Sequence, residues 1–334
     1  PNSMPVVDPL AKLTAARLSL RSKLFANTAP PASLGSYPTV LINRTDAGDI
    51  NYTSISSLTV EGATTVNGSI AFTAPDLKVT GGIATVGANT DVTLTASTNN
   101  LFIDGTVTSQ RDVTLNAVGG SITNSTAGRT TLITAPRNVI VAADKTATLL
   151  TKAQALTATL TSVGSTLDVQ DDDGLVITSA VLSGGGNATF KVGTAALGGS
   201  TLVGLINAGP SGTVSIDSYG DIVEATVDPS ADIVAQSATF KSANGRIDLD
   251  TTVDVLTAST LQKTAPITLR DQGTGTTPLQ LASLTGVGTG ADITVTSART
   301  IQATAVTTAG RVNLTTTSPA ASVQVGTVTA TGNT

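Results

Sequence analysis

The sequence predicts an all-β protein wound as a parallel β-helix, or β-solenoid, with a short helix at its N-terminus. Two observations predict the solenoid. Short segments of alternating apolar and polar residues recur about every twenty residues along the chain. The composition also favours strands, because threonine and valine abound while aromatic residues are 2% and the glutamates are Glu61 and Glu224 alone. A helical protein of this length would contain many more glutamates, lysines and leucines.

Residues 1–34 are predicted to form an amphipathic helix followed by a proline-rich linker. The helix spans residues 8–25, with Asp8 as N-cap and Pro9 in the first turn. Its remaining signature is three- and four-residue spacing of Leu10, Leu13, Arg17, Leu20 and Leu24. We expect this helix to cover the first coil of the β-structure; the alternative is a basic helix that binds a membrane surface or a partner. The linker reads NTAPPASLGSYP.

Residues 35–334 are predicted to be one β-solenoid shaft. The repeated frame is apolar, polar, apolar, as in Val92 and Leu94, Val113 and Leu115, Val214 and Ile216, Ile247 and Leu249, Ile267 and Leu269, Ile293 and Val295, and Val312 and Leu314. Successive copies begin 19 to 21 residues apart, at 92 and 113, 247 and 267, and 293 and 312. That period suits one solenoid coil of two or three short strands, and it predicts roughly 15 coils.

The frame also predicts how the coil is built. Aliphatic residues point inward and stack on the next coil, while outward positions need only threonine or serine, so 12% charged residues suffice. Glycines at the breaks between strands should form corners with positive φ or close backbone approach, namely Gly119, Gly120, Gly164, Gly245, Gly290 and Gly310. Residues 168–212 break the register, and we expect longer corners or a lateral hairpin there.

Composition excludes several classes of function. A net charge of −5 argues against nucleic acid, which requires clustered basic residues. The chain has no cysteine and no histidine, which excludes Ser/His/Asp and Cys/His catalysis and the usual zinc sites. No uninterrupted apolar run is long enough for a transmembrane segment. The chain begins at Pro1 without a signal layout, so we expect a fragment or a processed product.

Three stretches resemble the repeat rungs of known bacterial surface proteins. IDGTVTSQRDVTLNAVGGSITNS and GRVNLTTTSPAASVQVGTVTATGN resemble rungs of filamentous-haemagglutinin-type proteins. GDIVEATVDPSADIVAQSATFKSANGRIDLDTTVDVLTAST is similar to rungs of very large bacterial adhesins of the same architecture. The likeness covers most of residues 55–334. It implies a right-handed parallel β-helix, export to the cell surface, a role in adhesion, biofilm or surface structure, and no catalytic residue.

One acidic corner is a candidate calcium site. LDVQDDDGL offers Asp168, Asp171 and Asp173, with Asp172 between them, as hard oxygen ligands. The spacing does not match an EF-hand, because Val169 stands at the first ligand position. The other interpretation, which the sequence favours, is an acidic corner exposed to water. No other cofactor is expected.

A second acidic segment suggests a possible glycan-acting site. In GRIDLD, inward Ile247 and Leu249 force Arg246, Asp248 and Asp250 outward, and paired carboxylates can serve as acid and base without histidine. Lys241 and Asp254 are also near in sequence. The alternative, favoured because aromatics are few and no second carboxylate cluster is expected nearby, is that these charges keep an outer face solvated.

The sequence therefore predicts a secreted or bacterial cell-surface protein with a structural and adhesive role and no enzymatic activity. The C-terminal VTATGNT shows no cap, so we expect either end-to-end self-association through strand edges or a chain that continues beyond this fragment. A cell-surface or glycan ligand would be the other partner. The rival hypothesis is a polysaccharide-acting β-helix enzyme using Arg246, Asp248 and Asp250.

Overall fold

The structure is a computed structural model and describes residues 18–22, 39–124, 132–262 and 264–332. The chain divides into two compact units, residues 1–154 and 155–334. Each is a parallel β-solenoid, and the described residues contain no helix. Together the units hold about 13 turns, fewer than the roughly 15 predicted, because equivalent residues can lie up to 27 positions apart, as Ile206 and Ile233 do.

The strands of unit 1 are short and follow one another closely. They are β1 (Leu18–Ser22), β2 (Thr39–Ala47), β3 (Ile50–Thr53), β4 (Leu58–Val66), β5 (Ile70–Ala74), β6 (Leu77–Val79), β7 (Ile83–Thr85), β8 (Val92–Ala96), β9 (Leu101–Ile103), β10 (Val107–Thr108), β11 (Asp112–Ala117), β12 (Ile122–Asn124) and β13 (Ile133–Ala143). The next strand, β14 (Thr146–Leu160), contains the residue at which the two units divide.

Unit 2 continues with strands of similar length. They are β15 (Thr166–Asp171), β16 (Leu175–Leu182), β17 (Asn187–Val192), β18 (Thr201–Val203), β19 (Ile206–Ser218), β20 (Ile222–Glu224), β21 (Ile233–Ser242), β22 (Ile247–Thr252), β23 (Val255–Thr260), β24 (Ile267–Asp271), β25 (Leu279–Gly286), β26 (Ile293–Ser297), β27 (Ile301–Thr308), β28 (Val312–Thr316) and β29 (Val323–Ala330).

Unit 1 is walled by strand stacks in which like residues lie above one another. One stack runs β3, β5, β8, β11, β13, and its inward column is Ile50, Ile70, Val92, Val113 and Val139. All five side chains are fully buried. A second stack, β4, β6, β9, β12, carries the buried column Leu58, Leu77, Leu101 and Ile122. This confirms the predicted aliphatic ladders, whose burial removes apolar surface from water at every turn.

Unit 2 has the same construction with longer columns. The stack β15, β17, β19, β21, β23, β25, β27, β29 aligns Val169, Phe190, Ile216, Phe240, Ala258, Leu284, Val306 and Val328. The neighbouring stack β16, β18, β20, β22, β24, β26, β28 aligns Leu175, Thr201, Ile222, Ile247, Ile267, Ile293 and Val312. Phe190 and Phe240 fill the interior where the chain has few other bulky residues.

Aspartates in front of the repeated frame tie one turn to the next. Asp91 Oδ1 accepts a hydrogen bond from the backbone N–H of Asp112 at 3.2 Å, and Asp112 Oδ1 accepts one from that of Asn138 at 3.1 Å. In unit 2, Asp221 Oδ1 accepts from the amide of Arg246 at 2.8 Å. These contacts satisfy amides at the strand start, where corner geometry interrupts the ladder. They explain why the frame so often begins with aspartate.

The corner glycines behave in the two ways predicted. Gly119 has a φ of 74°, a conformation that costs an L-residue energy because of its Cβ. Gly245 has ordinary φ, but a Cβ there would lie 2.3 Å from the backbone nitrogen of Asp221 on the preceding turn. A side chain at either corner would therefore disturb the stacking.

The irregular segment contains the small lateral hairpin that the sequence predicts. Thr194 and Gly198 form an isolated antiparallel bridge, with N–H to O distances of 2.9 and 2.8 Å in the two directions. On either side of it, β17 still pairs with β15 and β19 in parallel register. The excursion therefore leaves the unit 2 solenoid uninterrupted.

The predicted N-terminal helix is wrong where it can be checked. Residues 18–22 lie inside the predicted helix but form β1, which pairs in parallel with β2 and aligns Leu18 with Val40 and Leu20 with Ile42. LSLRS fits a two-residue as well as a three-to-four-residue period, and the available strand edge decides between them. Residues 8–17 and 23–25, and the predicted domain boundary after residue 34, lie outside the described residues; the domain division stays a prediction.

Candidate functional site

The largest group of interacting charges in the described residues is a carboxylate corner in unit 2. It consists of Glu224, Asp232, Asp248 and Asp250 around Arg270. Glu224 ends β20, the two aspartates of GRIDLD lie on β22, and Arg270 lies on β24 directly opposite Asp250 in the parallel register. The regular stacking of turns therefore brings together residues up to 46 positions apart.

Every nitrogen of the Arg270 guanidinium is paired. Nη1 donates to Asp248 Oδ1 at 2.6 Å, Nη2 donates to Glu224 Oε1 at 2.8 Å, and Nε donates to Asp250 Oδ1. Burial on its own would lower the pKa of Arg270, but the hydrogen bonds to Asp248 and Asp250 and their charges outweigh it and raise that pKa. The guanidinium is therefore a fixed positive charge at the centre of the corner.

Glu224 occupies a position that is aliphatic in the preceding turns. It is aligned with Val203, which is aligned in turn with Ile177, and both of those side chains are fully buried. The Glu224 side chain is 9% exposed. Oε1 is bound by Arg270, whereas Oε2 is buried and has no hydrogen-bond partner. A buried carboxylate oxygen without a partner is costly, so this atom requires an explanation.

Asp232 is the second buried carboxyl group of the corner. Its backbone N–H donates to the carbonyl of Asp250 at 2.8 Å, and its Oδ2 accepts from the Asp250 N–H at 2.8 Å. Burial raises the pKa of Asp232 to about 7; the Asp250 amide opposes this, while the negative charges of Glu224, Asp250 and Asp228 add to it. Asp232 thus holds its proton to far higher pH than an ordinary aspartate.

A second ion pair joins Asp271, the residue after Arg270 on β24, to Arg299 in the corner between β26 and β27. Arg299 binds Asp271 with two hydrogen bonds, Nε to Oδ2 at 2.9 Å and Nη2 to Oδ1 at 2.7 Å, and Nη1 donates to Asp254 at 3.0 Å. The side chains of Arg299 and Asp271 are 5% and 1% exposed. Ser297 also donates to Asp271 Oδ2 at 2.6 Å. This bidentate pair lies in a buried polar column, in which Asp271 is aligned with Thr251 and Ser297.

The structure changes the set of residues that was predicted to form the site at GRIDLD. Arg246 is exposed and is not the cation of the corner; that role belongs to Arg270, one turn later. Lys241 pairs with Asp217, at 3.4 Å. The expectation that the repeat places no second carboxylate cluster nearby was wrong, because Glu224 and Asp232 from neighbouring turns complete the corner.

A signal for Glu224 was present in the sequence. It stands two residues after Ile222, where the repeated frame has an aliphatic residue in every quoted copy. Arg270 could have been found by aligning IDLD with ITLR one turn later. Asp232 carries no such signal, since its position depends on the length of the segment that follows β20.

The proposed calcium ligands do not converge. Asp168 is exposed and Asp171 is buried, because they lie at odd spacing on β15 and so face opposite sides of the strand. Asp171 Oδ1 accepts from the amides of Asp173 and Gly174 at 3.3 and 3.2 Å, which makes it a corner cap. Among the described residues no group of three metal-ligating side chains could hold an ion. Calcium binding at Asp168, Asp171 and Asp173 stays a prediction.

The last described turn of unit 2 presents a second candidate surface, which we call the open turn. It consists of β28 and β29, which pair with β26 and β27 on one side only within the described residues. Residues of β29 that continue inward columns are exposed there, including Val325, at 57%, and Val328, at 40%. With Val312 and Leu314 they line an apolar groove. Strand edges and an aliphatic ladder are thus both available for pairing.

Comparison with known proteins finds no match to any family model, curated protein or solved structure. The resemblance to haemagglutinin-type rungs therefore rests on the style of the rungs, and the supported statement is that the chain is a parallel β-solenoid repeat protein. No helix in the described part of the chain could cross a membrane.

Proposed function

We propose that the protein is a structural and adhesive component of a bacterial cell surface, secreted and assembled by strand addition at the open turn. The observation that carries this proposal is the exposed valine ladder of the open turn, whose two strands pair on one side only within the described residues. A second copy of the chain is the proposed occupant. Its turns have the same two-residue alternation and the same spacing between stacked strands, about 4.8 Å.

The chemistry of the open turn favours another solenoid turn over a small ligand. Val323, Val325 and Val328 offer apolar surface, and Arg311 is the one charged residue in the groove lining, whereas small-molecule sites place several polar atoms to orient their ligand. Parallel pairing would bury these side chains and satisfy the free backbone groups of β28 and β29 together. Both gains require an occupant with strand geometry.

A substitution at the open turn tests the proposal. In the wild-type chain we expect the mass measured by light scattering to rise with protein concentration, and electron microscopy to show end-to-end assemblies. Val325→Lys places a charge on the ladder, and we expect at least a tenfold weaker association, equivalent to about 1.4 kcal/mol. The matched control is Val163→Lys, since Val163 is 84% exposed at a corner of the chain and should not matter.

Two results would contradict assembly at this surface. One is a wild-type chain that stays monomeric at every concentration. The other is an equal effect of Val325→Lys and Val163→Lys, which would point to general charge and not to the open turn. Adhesion is tested separately, by binding of the purified chain to glycan arrays and to cultured cells.

A second candidate function is glycan cleavage by the carboxylate corner, and one observation favours it. A carboxyl group with a pKa raised to about 7 beside other carboxyl groups is a common acid–base arrangement. Against it, Asp232 and Asp250 are covered, and Arg270 has no free nitrogen for a substrate. Glycan-degradation assays on the wild type and on Asp248→Asn decide: the structural role predicts no turnover by either protein.

A further inference from the structure

The carboxylate corner encloses the two ends of one exposed segment. Residues 225–231 connect Glu224 to Asp232 and form no strand. Val227 in its middle is 88% exposed, and Asp228 accepts the Ser230 amide at 2.7 Å in a local Asx-turn. The Ala225 N–H donates to the carbonyl of Val203 at 2.7 Å, and the acidic residues at the two ends of the segment anchor it to the carboxylate corner.

Charge is unbalanced in this part of the interior. The carboxyl groups of Glu224, Asp232, Asp248 and Asp250 meet one guanidinium, and the adjacent Arg299 is already shared by Asp271 and Asp254. Asp228 adds a further negative charge from the exposed segment. Full ionisation would leave two buried carboxylates, Glu224 and Asp232, with insufficient positive charge between them.

We propose that Asp232 is protonated in the closed structure and donates its proton to the unpartnered Oε2 of Glu224, so that a shared proton latches segment 225–231. Asp232 would donate through the oxygen that the Asp250 amide does not bind. The hydrogen bond satisfies the buried carboxylate oxygen of Glu224 that has no partner among the described residues. Loss of the proton sets two carboxylates against each other at the two ends of the segment, which then opens.

The direction of the pH dependence follows from linkage. The pKa of Asp232 is 3.8 when unperturbed and about 7 in the folded chain. The stabilisation is therefore fully present below 3.8, decreases as the pH rises, and is lost above about 7. No other side chain of ordinary pKa titrates between pH 5 and 8, since the chain has neither histidine nor cysteine. The latch should dominate any response in that range.

Hydrogen exchange measured by mass spectrometry tests the latch. After correction for intrinsic exchange rates, we expect segment 225–231 and the Asp250 amide to open about tenfold more often at pH 8 than at pH 6. Asp232→Asn keeps a polar side chain that does not titrate, so the difference in opening between pH 6 and pH 8 should vanish. Glu224→Gln removes the facing charge and should shift the transition to lower pH. Asp168→Asn, at an exposed aspartate, should behave as the wild type.

Three outcomes would overturn the latch. The first is equal opening of the wild type at pH 6 and pH 8. The second is a pH response that persists in Asp232→Asn. The third is protection that depends on added sodium or calcium, or is removed by a chelator, because that would identify a bound cation and not a proton as the partner of Glu224. If Asp232→Asn does not fold, the Glu224→Gln shift decides. Failure of the latch would leave assembly at the open turn untouched.

Discussion

Two regions of the molecule each pair an aspartate with an arginine about one turn away in sequence, and they place the pair at very different depths. In unit 1, Arg111 pairs with Asp91 and Arg137 with Asp112, at separations of 20 and 25 residues, and the two arginine side chains are 36% and 60% exposed. In unit 2, Arg299 pairs with Asp271 across 28 residues and is 5% exposed.

The difference arises from where the aspartate stands in the repeated frame. Asp91 and Asp112 come immediately before the first inward residue of a strand, at a corner. Asp271 follows Ile267 and Leu269 at two-residue spacing, so it points inward with them. A spacing of about one turn therefore predicts that two charged residues meet. Whether the aspartate lies at an odd or an even distance from the inward residues of its strand predicts whether water reaches the pair.

Breaking the buried pair should have the largest effect. Arg299→Met leaves the buried Asp271 carboxyl group without a counter-charge, and we expect a loss of about 3–5 kcal/mol in the free energy of unfolding, measured by urea denaturation. The double variant Arg299→Met with Asp271→Asn should recover much of that loss, because the unpaired charge is gone. A double variant as unstable as the single one would mean that lost packing, and not the stranded charge, governs the site.

The sequence predicted the architecture because the signal repeats. Every turn restates the frame, so an error in one copy, such as the irregular segment after Asp168, does not hide the others. The LSLRS segment of β1 has a single copy that fits both a helix and a strand, and only pairing with β2 decides it.

The candidate site was predicted in part for the same reason. Asp248 and Asp250 lie inside a clear copy of the frame, so their outward parity could be read. Their cation and their neighbours come from other turns, and the length of each turn, which varies, determines which residues meet. Asp250 shows the consequence: its parity is outward, yet Arg270 and Asp232 cover it.

A second test compares buried hydroxyl groups that differ in their hydrogen bonding. Thr201 and Thr260 are both fully buried in unit 2; Thr260 Oγ1 donates to the carbonyl of Ala265 at 2.9 Å, whereas Thr201 Oγ1 has no partner. Replacement by valine keeps the shape. We expect Thr260→Val to destabilise by about 1–2 kcal/mol and Thr201→Val to stabilise by about 1 kcal/mol.

The readout is the midpoint of urea unfolding, which should move in opposite directions for the two variants at constant slope. If Thr201→Val were also destabilising, the Thr201 hydroxyl would have a partner, such as an ordered water. The columns of unit 2 would then tolerate polar groups only when each is satisfied, as Asp271 is.

The smallest effect is expected at the surface of unit 1. Arg137 Nε lies 3.2 Å from Asp112 Oδ1, but the arginine is 60% exposed, so water screens the pair and its side chain loses entropy on ordering. We expect Arg137→Ala to change the free energy of unfolding by less than about 1 kcal/mol, with the difference disappearing in 1 M salt. A loss of unfolding free energy comparable to that of Arg299→Met would show that burial does not distinguish the two kinds of ion pair. It would also mean that the hydrogen bond from the Asn138 amide to Asp112 depends on Arg137.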